Sequence, residues 1–173
     1  MPSLIPMKKL PLAVLLSAVA VFYASVHSAR SDDAAAPASQ PVNLALNKAA
    51  TASSVESDDH AAGKANDGDD DTRWCADGET VPQWWQVDLE KPHTISSVEI
   101  KWEFDEKVYK FVVEGSADAT TWKTLSDQSQ STAKTQVQKL KLDKPAEGIR
   151  YVRIRITGLE DGCWASMFEV KVS

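Results

Sequence analysis

Four aspartates crowd into five positions of the segment Lys64-Ala65-Asn66-Asp67-Gly68-Asp69-Asp70-Asp71-Thr72-Arg73-Trp74. Carboxylates this close repel one another unless a cation or solvent intervenes. A hard cation such as Ca2+ takes roughly six to eight oxygens, from carboxylates and from the carbonyls of a tight loop. Gly68 supplies the sharp turn. An EF-hand does not fit: counting from Asp67, Thr72 stands where glycine is required and Gly78 where the bidentate glutamate belongs. On residues alone the segment is either a cation loop of another kind or a solvated acidic turn.

Catalytic patterns are scarce. No His-Glu-x-x-His, Ser-His-Asp or zinc-ligand spacing occurs. Asp105 with Glu106, or Glu56 with Glu103, could be imagined as a glycosidase pair, which needs two carboxylates with tuned acidities in one cleft. Nothing else in the chain supports that reading, and an enzyme is not expected. Cys75 as a nucleophile with His60 is equally poor, since no basic cluster or helix start surrounds Cys75 to favour its thiolate. The six tryptophans divide. Trp84, Trp102 and Trp122 lie in apolar runs and read as core or rim packing. Trp74, Trp85 and Trp164 flank polar loops, where an exposed indole can stack on the apolar face of a sugar ring.

The elements that must carry these residues are strands. Trp84–Leu89, Ile95–Trp102, Val108–Glu114, Trp122–Leu125, Val137–Leu142, Tyr151–Ile156 and Phe168–Val172 are short and rich in β-branched and aromatic residues. In Val137-Gln138-Lys139-Leu140-Lys141-Leu142 and in Tyr151-Val152-Arg153-Ile154-Arg155-Ile156 apolar residues recur at period two. Turn residues separate the runs, and no segment after the leader keeps a helical period. The pattern predicts an all-β sandwich.

The first residues predict export. Lys8 and Lys9 precede an apolar stretch, Leu10 to Tyr23, of about 14 residues, short of the ~20 a membrane span needs. Val26-His27-Ser28-Ala29 then offers small residues for cleavage, so residues 1–28 read as a signal peptide. Residues 29–42, rich in Ala, Ser, Pro and Asp, read as a disordered linker. One domain, 43–173, follows. The product should be secreted or periplasmic, with no membrane insertion after cleavage, and is expected to be a monomer. Its two cysteines, in an oxidising compartment, favour one disulfide over two free thiols. The net charge of −6, more negative once Lys8 and Lys9 are removed, argues against nucleic acid as a partner.

A set of motifs gives the chain a resemblance. Asn43-Leu44-Ala45-Leu46-Asn47-Lys48-Ala49-Ala50, the acidic segment, Gln83-Trp84-Trp85-Gln86-Val87-Asp88-Leu89, Arg150-Tyr151-Val152-Arg153 and Phe168-Glu169-Val170 follow one another as in the discoidin domain, also called the coagulation factor five/eight C-type domain. Within it the sequence is most similar to bacterial family 32 carbohydrate-binding modules, over essentially all of 43–173. The resemblance implies an eight-stranded jelly-roll sandwich (the galactose-binding-domain-like fold) with sugar-binding loops at one end. It implies a structural Ca2+ held by Lys64, Asp67, Asp69, Thr72, Phe168 and Glu169, Lys64 and Phe168 through carbonyls. If that ion joins the acidic loop to the last strand, Cys75 and Cys163 come within reach of a disulfide.

It also implies a sugar pocket at Glu56, Arg73 and Glu103, with Trp164 stacking from the opposite loop. In chitosan-binding members such carboxylates meet the amino group of glucosamine. The aromatic residue those members carry shortly after Thr-Arg-Trp is replaced here by Ala76-Asp77-Gly78, a departure that leaves galactose-type sugars open as ligands. The expected function is therefore carbohydrate binding without catalysis. Adhesion to a protein is the alternative; lipid binding is disfavoured by the acidic loops.

Overall fold

The computed structural model describes residues 41–173; the expected signal peptide and all but the last two positions of the expected linker lie outside them. Seven strands follow in order: β1 (Ala50–Ala52), β2 (Trp74–Cys75), β3 (Gln83–Trp102), β4 (Tyr109–Ser116), β5 (Trp122–Gln128), β6 (Val137–Leu159) and β7 (Ser166–Val172). Every pairing is antiparallel. Among the described residues no helix is long and apolar enough to cross a membrane.

Two strands build both layers of the sandwich. The first half of β3 pairs with β1 on one side and with the second half of β6 on the other, and β6 continues the layer through β4 to β5. The second half of β3 pairs with the first half of β6 and with β7, which carries β2 at its edge. Between the halves the β3–β6 register slips three times, from Asp88 to Ser97. Such irregularities bend a strand without ending its ladder. The sequence reads β3 and β6 as two runs each, split at Glu90-Lys91-Pro92 and Asp143-Lys144-Pro145. The ladder runs through both corners, so the described residues hold seven strands where eight were expected, in the expected all-β class.

Alternation decides which side chains fill the space between layers. Trp85, Val87 and Leu89 of β3 face inward with Val152, Ile154 and Ile156 of β6 and with Phe111 and Val113 of β4. Each such burial is worth roughly 1.5–3 kcal/mol. At the end of β3, Trp102 stacks on Tyr109 with centroids 4.2 Å apart, and Phe111 meets it edge-on at 5.0 Å. This aromatic group closes the base of the loop from Glu103 to Val108.

Charges knit the outer face. Asp88 accepts two hydrogen bonds from Arg150, both at 2.8 Å, which links two of the family-like motifs directly. Glu114 accepts from Arg153 at 2.8 Å and from Arg155 at 3.3 Å. The Arg153 guanidinium lies 3.9 Å above the Trp122 ring, which accounts for that tryptophan as a packed rim residue.

Candidate functional site

Two sites emerge at the strand ends. The first is the acidic loop, tied down by Asn66, which is fully buried and donates to the carbonyls of Ala45 and Lys48 at 2.7 and 2.9 Å. Gly68 follows at φ +80°, a left-handed backbone that favours glycine, and a Cβ there would press on the end of the exposed Leu46 side chain at 3.0 Å. The loop then turns back on itself. Thr72 Oγ1 lies within 3.3 Å of four acceptors: the Lys64 carbonyl, both Asp67 carboxylate oxygens and the Asp69 carbonyl. A hydroxyl has one proton to give. Four oxygens therefore converge on one hydroxyl, although Asp67 Oδ1 also accepts from the Asp69 amide at 3.1 Å and the Asp69 carbonyl from the Thr72 amide at 3.3 Å.

Glu169 closes this loop from β7. Its Oε2 accepts from the Gly68 amide at 3.2 Å, while Oε1 is buried without a partner. Burial pushes its pKa up to about 7, with the charges of Asp67 and Asp70 adding to the rise and the Gly68 amide opposing it. Asp69 presents its carbonyl, its carboxylate being used to accept from the Asp71 amide at 3.0 Å. Asp70 reaches away to Lys101 at 3.2 Å. The Phe168 ring lies beneath the Lys101 ammonium at 5.4 Å. Among the described residues no three His, Cys, Asp or Glu side chains gather round one point. The loop's oxygens are mixed in kind: the Asp67 carboxylate, the Thr72 hydroxyl and the Lys64 and Asp69 carbonyls, with the Glu169 carboxylate at the Gly68 amide beside them.

The second site is a cavity of about 250 Å³ lined by Glu56, Arg73, Cys75, Glu103, Phe104, Gly162 and Trp164. All four residues expected to form a sugar pocket line it. Each arrives by a different element: Glu56 from the segment after β1, Arg73 from just before β2, Glu103 from just after β3, Trp164 from the turn before β7. The Glu56 amide donates to the Cys75 carbonyl at 2.9 Å, which fixes that segment beside β2. The Trp74 indole donates to the Ser54 carbonyl at 3.0 Å from within the core.

Each carboxylate inside the cavity has a nitrogen or hydroxyl partner. Glu103 Oε1 lies 3.1 Å from Arg73 Nε, and Oε2 accepts from the fully buried Ser166 hydroxyl. Glu56 Oε2 lies 2.5 Å from His60 Nδ1. Ser166 and Phe104 escaped the sequence reading, and His60 was weighed there only as a partner for Cys75, not for Glu56. Phe104, 39 % exposed, offers an apolar face from the β3–β4 loop although the position after Thr-Arg-Trp has none. Its signal in sequence was an isolated aromatic between Glu103 and Asp105. Trp74 and Trp85, by contrast, are wholly buried and donate to backbone carbonyls; neither is available to a ligand.

The expected disulfide is corrected. Cys75 and Cys163 are both free and buried. The β2–β7 register pairs Cys75 with Ser166, three positions beyond Cys163. Cys163 Sγ instead donates to the Trp164 carbonyl at 3.6 Å, and Cys75 Sγ to the Ala76 carbonyl at 3.5 Å. Burial pushes the Cys75 thiol up to about 12, helped by the charges of Glu56 and Glu103, and burial also raises Cys163. Neither thiol is set up as a nucleophile.

Comparison with known proteins follows from this geometry. The family model for the F5/8 type C domain matches residues 49–170. Among solved structures the chain is similar to chitosan-binding module 1 of a chitosanase/glucanase from Paenibacillus sp. IK-5, at 30 % identity and TM-score 0.68, over 77 % of this chain and 99 % of that one. Chitosan-binding module 2 of the same enzyme, in complex with chitotriose, matches at 29 % identity and TM-score 0.67, over 75 % and 98 %. A family 32 module from Clostridium perfringens, in complex with glcNAc-alpha-1,4-galactose, shares the fold at 24 % identity and TM-score 0.67, over 78 % and 94 %. No curated protein matches.

Proposed function

The chain belongs to the F5/8 type C domain family, and from that premise we propose that it is an exported, non-catalytic carbohydrate-binding module whose sugar site is the Glu56–Arg73–Glu103–Trp164 cavity. One observation carries the reading: four side chains spread over more than a hundred positions line a single cavity at one end of the sandwich. Their chemistry suits a sugar. Trp164 and Phe104 offer apolar surface to a pyranose face, and the carboxylates accept from hydroxyl or ammonium donors. Arg73 supplies donors of its own. Two chitosan-binding neighbours at 29 and 30 % identity support an amino sugar as the ligand.

Catalysis is disfavoured by the same geometry. A general acid must hold a proton within reach of the leaving group, and both oxygens of Glu103 are already engaged by Arg73 and Ser166. The cavity is small and holds no other carboxylate besides Glu56.

A structural Ca2+ at the acidic loop belongs to this reading. The convergence of four oxygens round Thr72 and the unpartnered Glu169 Oε1 fit a hard cation, which would offset the cost of burying that carboxylate. Lys64, Asp67, Asp69 and Thr72 would hold it with Glu169 and the Phe168 carbonyl. Its role is to fasten the loop that ends in Arg73 to the last strand.

Calorimetry with glucosamine, N-acetylglucosamine and galactose oligomers tests the function. Binding of glucosamine oligomers, lost in a Trp164→Ala protein of unchanged melting temperature, is the expected result. Binding of galactose oligomers alone would move the ligand class. No binding of any sugar would return the domain to protein adhesion.

A further inference from the structure

Each carboxylate of the cavity has a partner, but the partners differ in kind. Glu103 is paired with Arg73, a cation at every accessible pH. Glu56 is paired with His60, whose ring returns to it through the single 3-10 turn Asp58–His60, with Nδ1 2.5 Å from Oε2 and 3.3 Å from Ser57 Oγ. Imidazole changes charge between about pH 5 and 8, and arginine does not. The other charged or titratable groups around the pair are few. Asp58 and Asp59 share its turn, Cys75 faces it from β2, and Arg73 and Glu103 stand across the cavity. Burial holds Cys75 as a neutral thiol, and His60 acts on the cavity only through Glu56.

We propose that His60 is a specificity-determining residue of the cavity: as imidazolium it holds Glu56 against an entering cation, and as neutral imidazole it yields Glu56 to the ammonium of an amino sugar. This rests on the amino-sugar reading of the cavity. With His60 neutral, Glu56, Glu103 and Arg73 leave one uncompensated negative charge for the ligand. With His60 protonated none remains, and the ligand must displace an internal cation already in contact. The exposure of the pair, 23 % and 36 % at the two side chains, keeps the effect modest. Its sign is distinctive. Lowering the pH protonates the sugar's amine and by itself favours binding to wild type and variant alike, so a smaller gain in the wild type must come from His60.

The test is calorimetry of the full chain with a glucosamine trimer near pH ~5.5 and ~7.5, on the wild type, His60→Gln and His60→Lys. Relative to His60→Gln, the wild type should lose roughly two- to fivefold in affinity on going to the lower pH, against the gain both share from protonation of the sugar's amine. His60→Gln should keep the whole of that gain and exceed the wild type at low pH. His60→Lys, a permanent cation, should bind weakly at both. Identical pH ratios in the wild type and His60→Gln would overturn the inference and leave the amino-sugar reading standing. So would weaker binding by His60→Gln at both pH values, since His60 would then merely orient Glu56. Absence of trimer binding by the wild type at either pH overturns the amino-sugar reading and the inference with it.

Discussion

The Gly68 amide donates to Glu169 Oε2 at 3.2 Å, joining residues 101 positions apart. That contact leaves Glu169 half served, because one amide faces a carboxylate whose other oxygen is buried and unpartnered. A folded-state pKa pushed up to about 7 means that the native protein binds a proton the unfolded chain has released. Stability from this group is complete below the ordinary glutamate range near pH ~4.3 and is lost as pH rises through about 7. The loss is on the order of 3 kcal/mol. Melts of chelator-treated protein between pH ~4.5 and ~7.5 should therefore show it weakening toward neutrality.

Calcium should reverse that trend. A ligand bound only by the native state adds about 2.7 kcal/mol at a hundredfold excess over its Kd. Melting temperature near neutral pH should rise by several degrees in Ca2+ and not in Glu169→Gln, whose neutral amide can still accept from Gly68. Equal curves for the metal-free wild type with and without Ca2+ would defeat the calcium assignment.

The two thiols should behave as core atoms. Both are buried, and burial raises both pKa values. A thiol reagent near pH ~8 should label neither in the native protein and both after denaturation without reductant. Peptides joined through Cys75 and Cys163 in a non-reduced digest of exported protein would contradict the free-thiol structure.

Much of the fold was legible because it depends on period two. Tyr151 to Ile156 alternates on the page as it does in β6. The corners were not legible: a proline reads as punctuation, whereas the β3–β6 ladder slips register there and continues. Nor were β1 and β2, of three and two residues, too short to show a period. The cavity residues came from motif likeness rather than from pattern. The partners Ser166 and His60 came from neither, since they meet the glutamates only through a β-strand register and one turn of 3-10 helix. The disulfide failed for a related reason. Compartment and count speak of two cysteines, and only register says that Cys75 faces Ser166.

Trp102 should link stability to the cavity. It is fully buried, stacks on Tyr109 and immediately precedes Glu103. Trp102→Ala should cost roughly 3–5 kcal/mol. Chemical denaturation measures the loss, and a value under about 1 kcal/mol would mean that the aromatic group does not hold the base of the loop.

Glu103 needs a variant that separates charge from packing. Truncation to alanine would strand the buried Ser166 hydroxyl, at a cost of roughly 1–3 kcal/mol to the fold, and would confuse stability with affinity. Glu103→Gln keeps an acceptor for Ser166 and removes only the charge. Arg73 then faces the cavity uncompensated, so an incoming ammonium loses an attraction and gains a repulsion. Affinity for a glucosamine oligomer should fall by about tenfold or more, since hydrogen bonds to charged groups contribute about 1.5–3 kcal/mol. The melting temperature should barely move. Added salt should weaken wild-type binding, because screening acts on the charges the ligand meets, and should affect the variant less. Unchanged affinity in Glu103→Gln, with the melt also unchanged, would remove this carboxylate from the binding site and shift attention to Glu56 and the indole of Trp164.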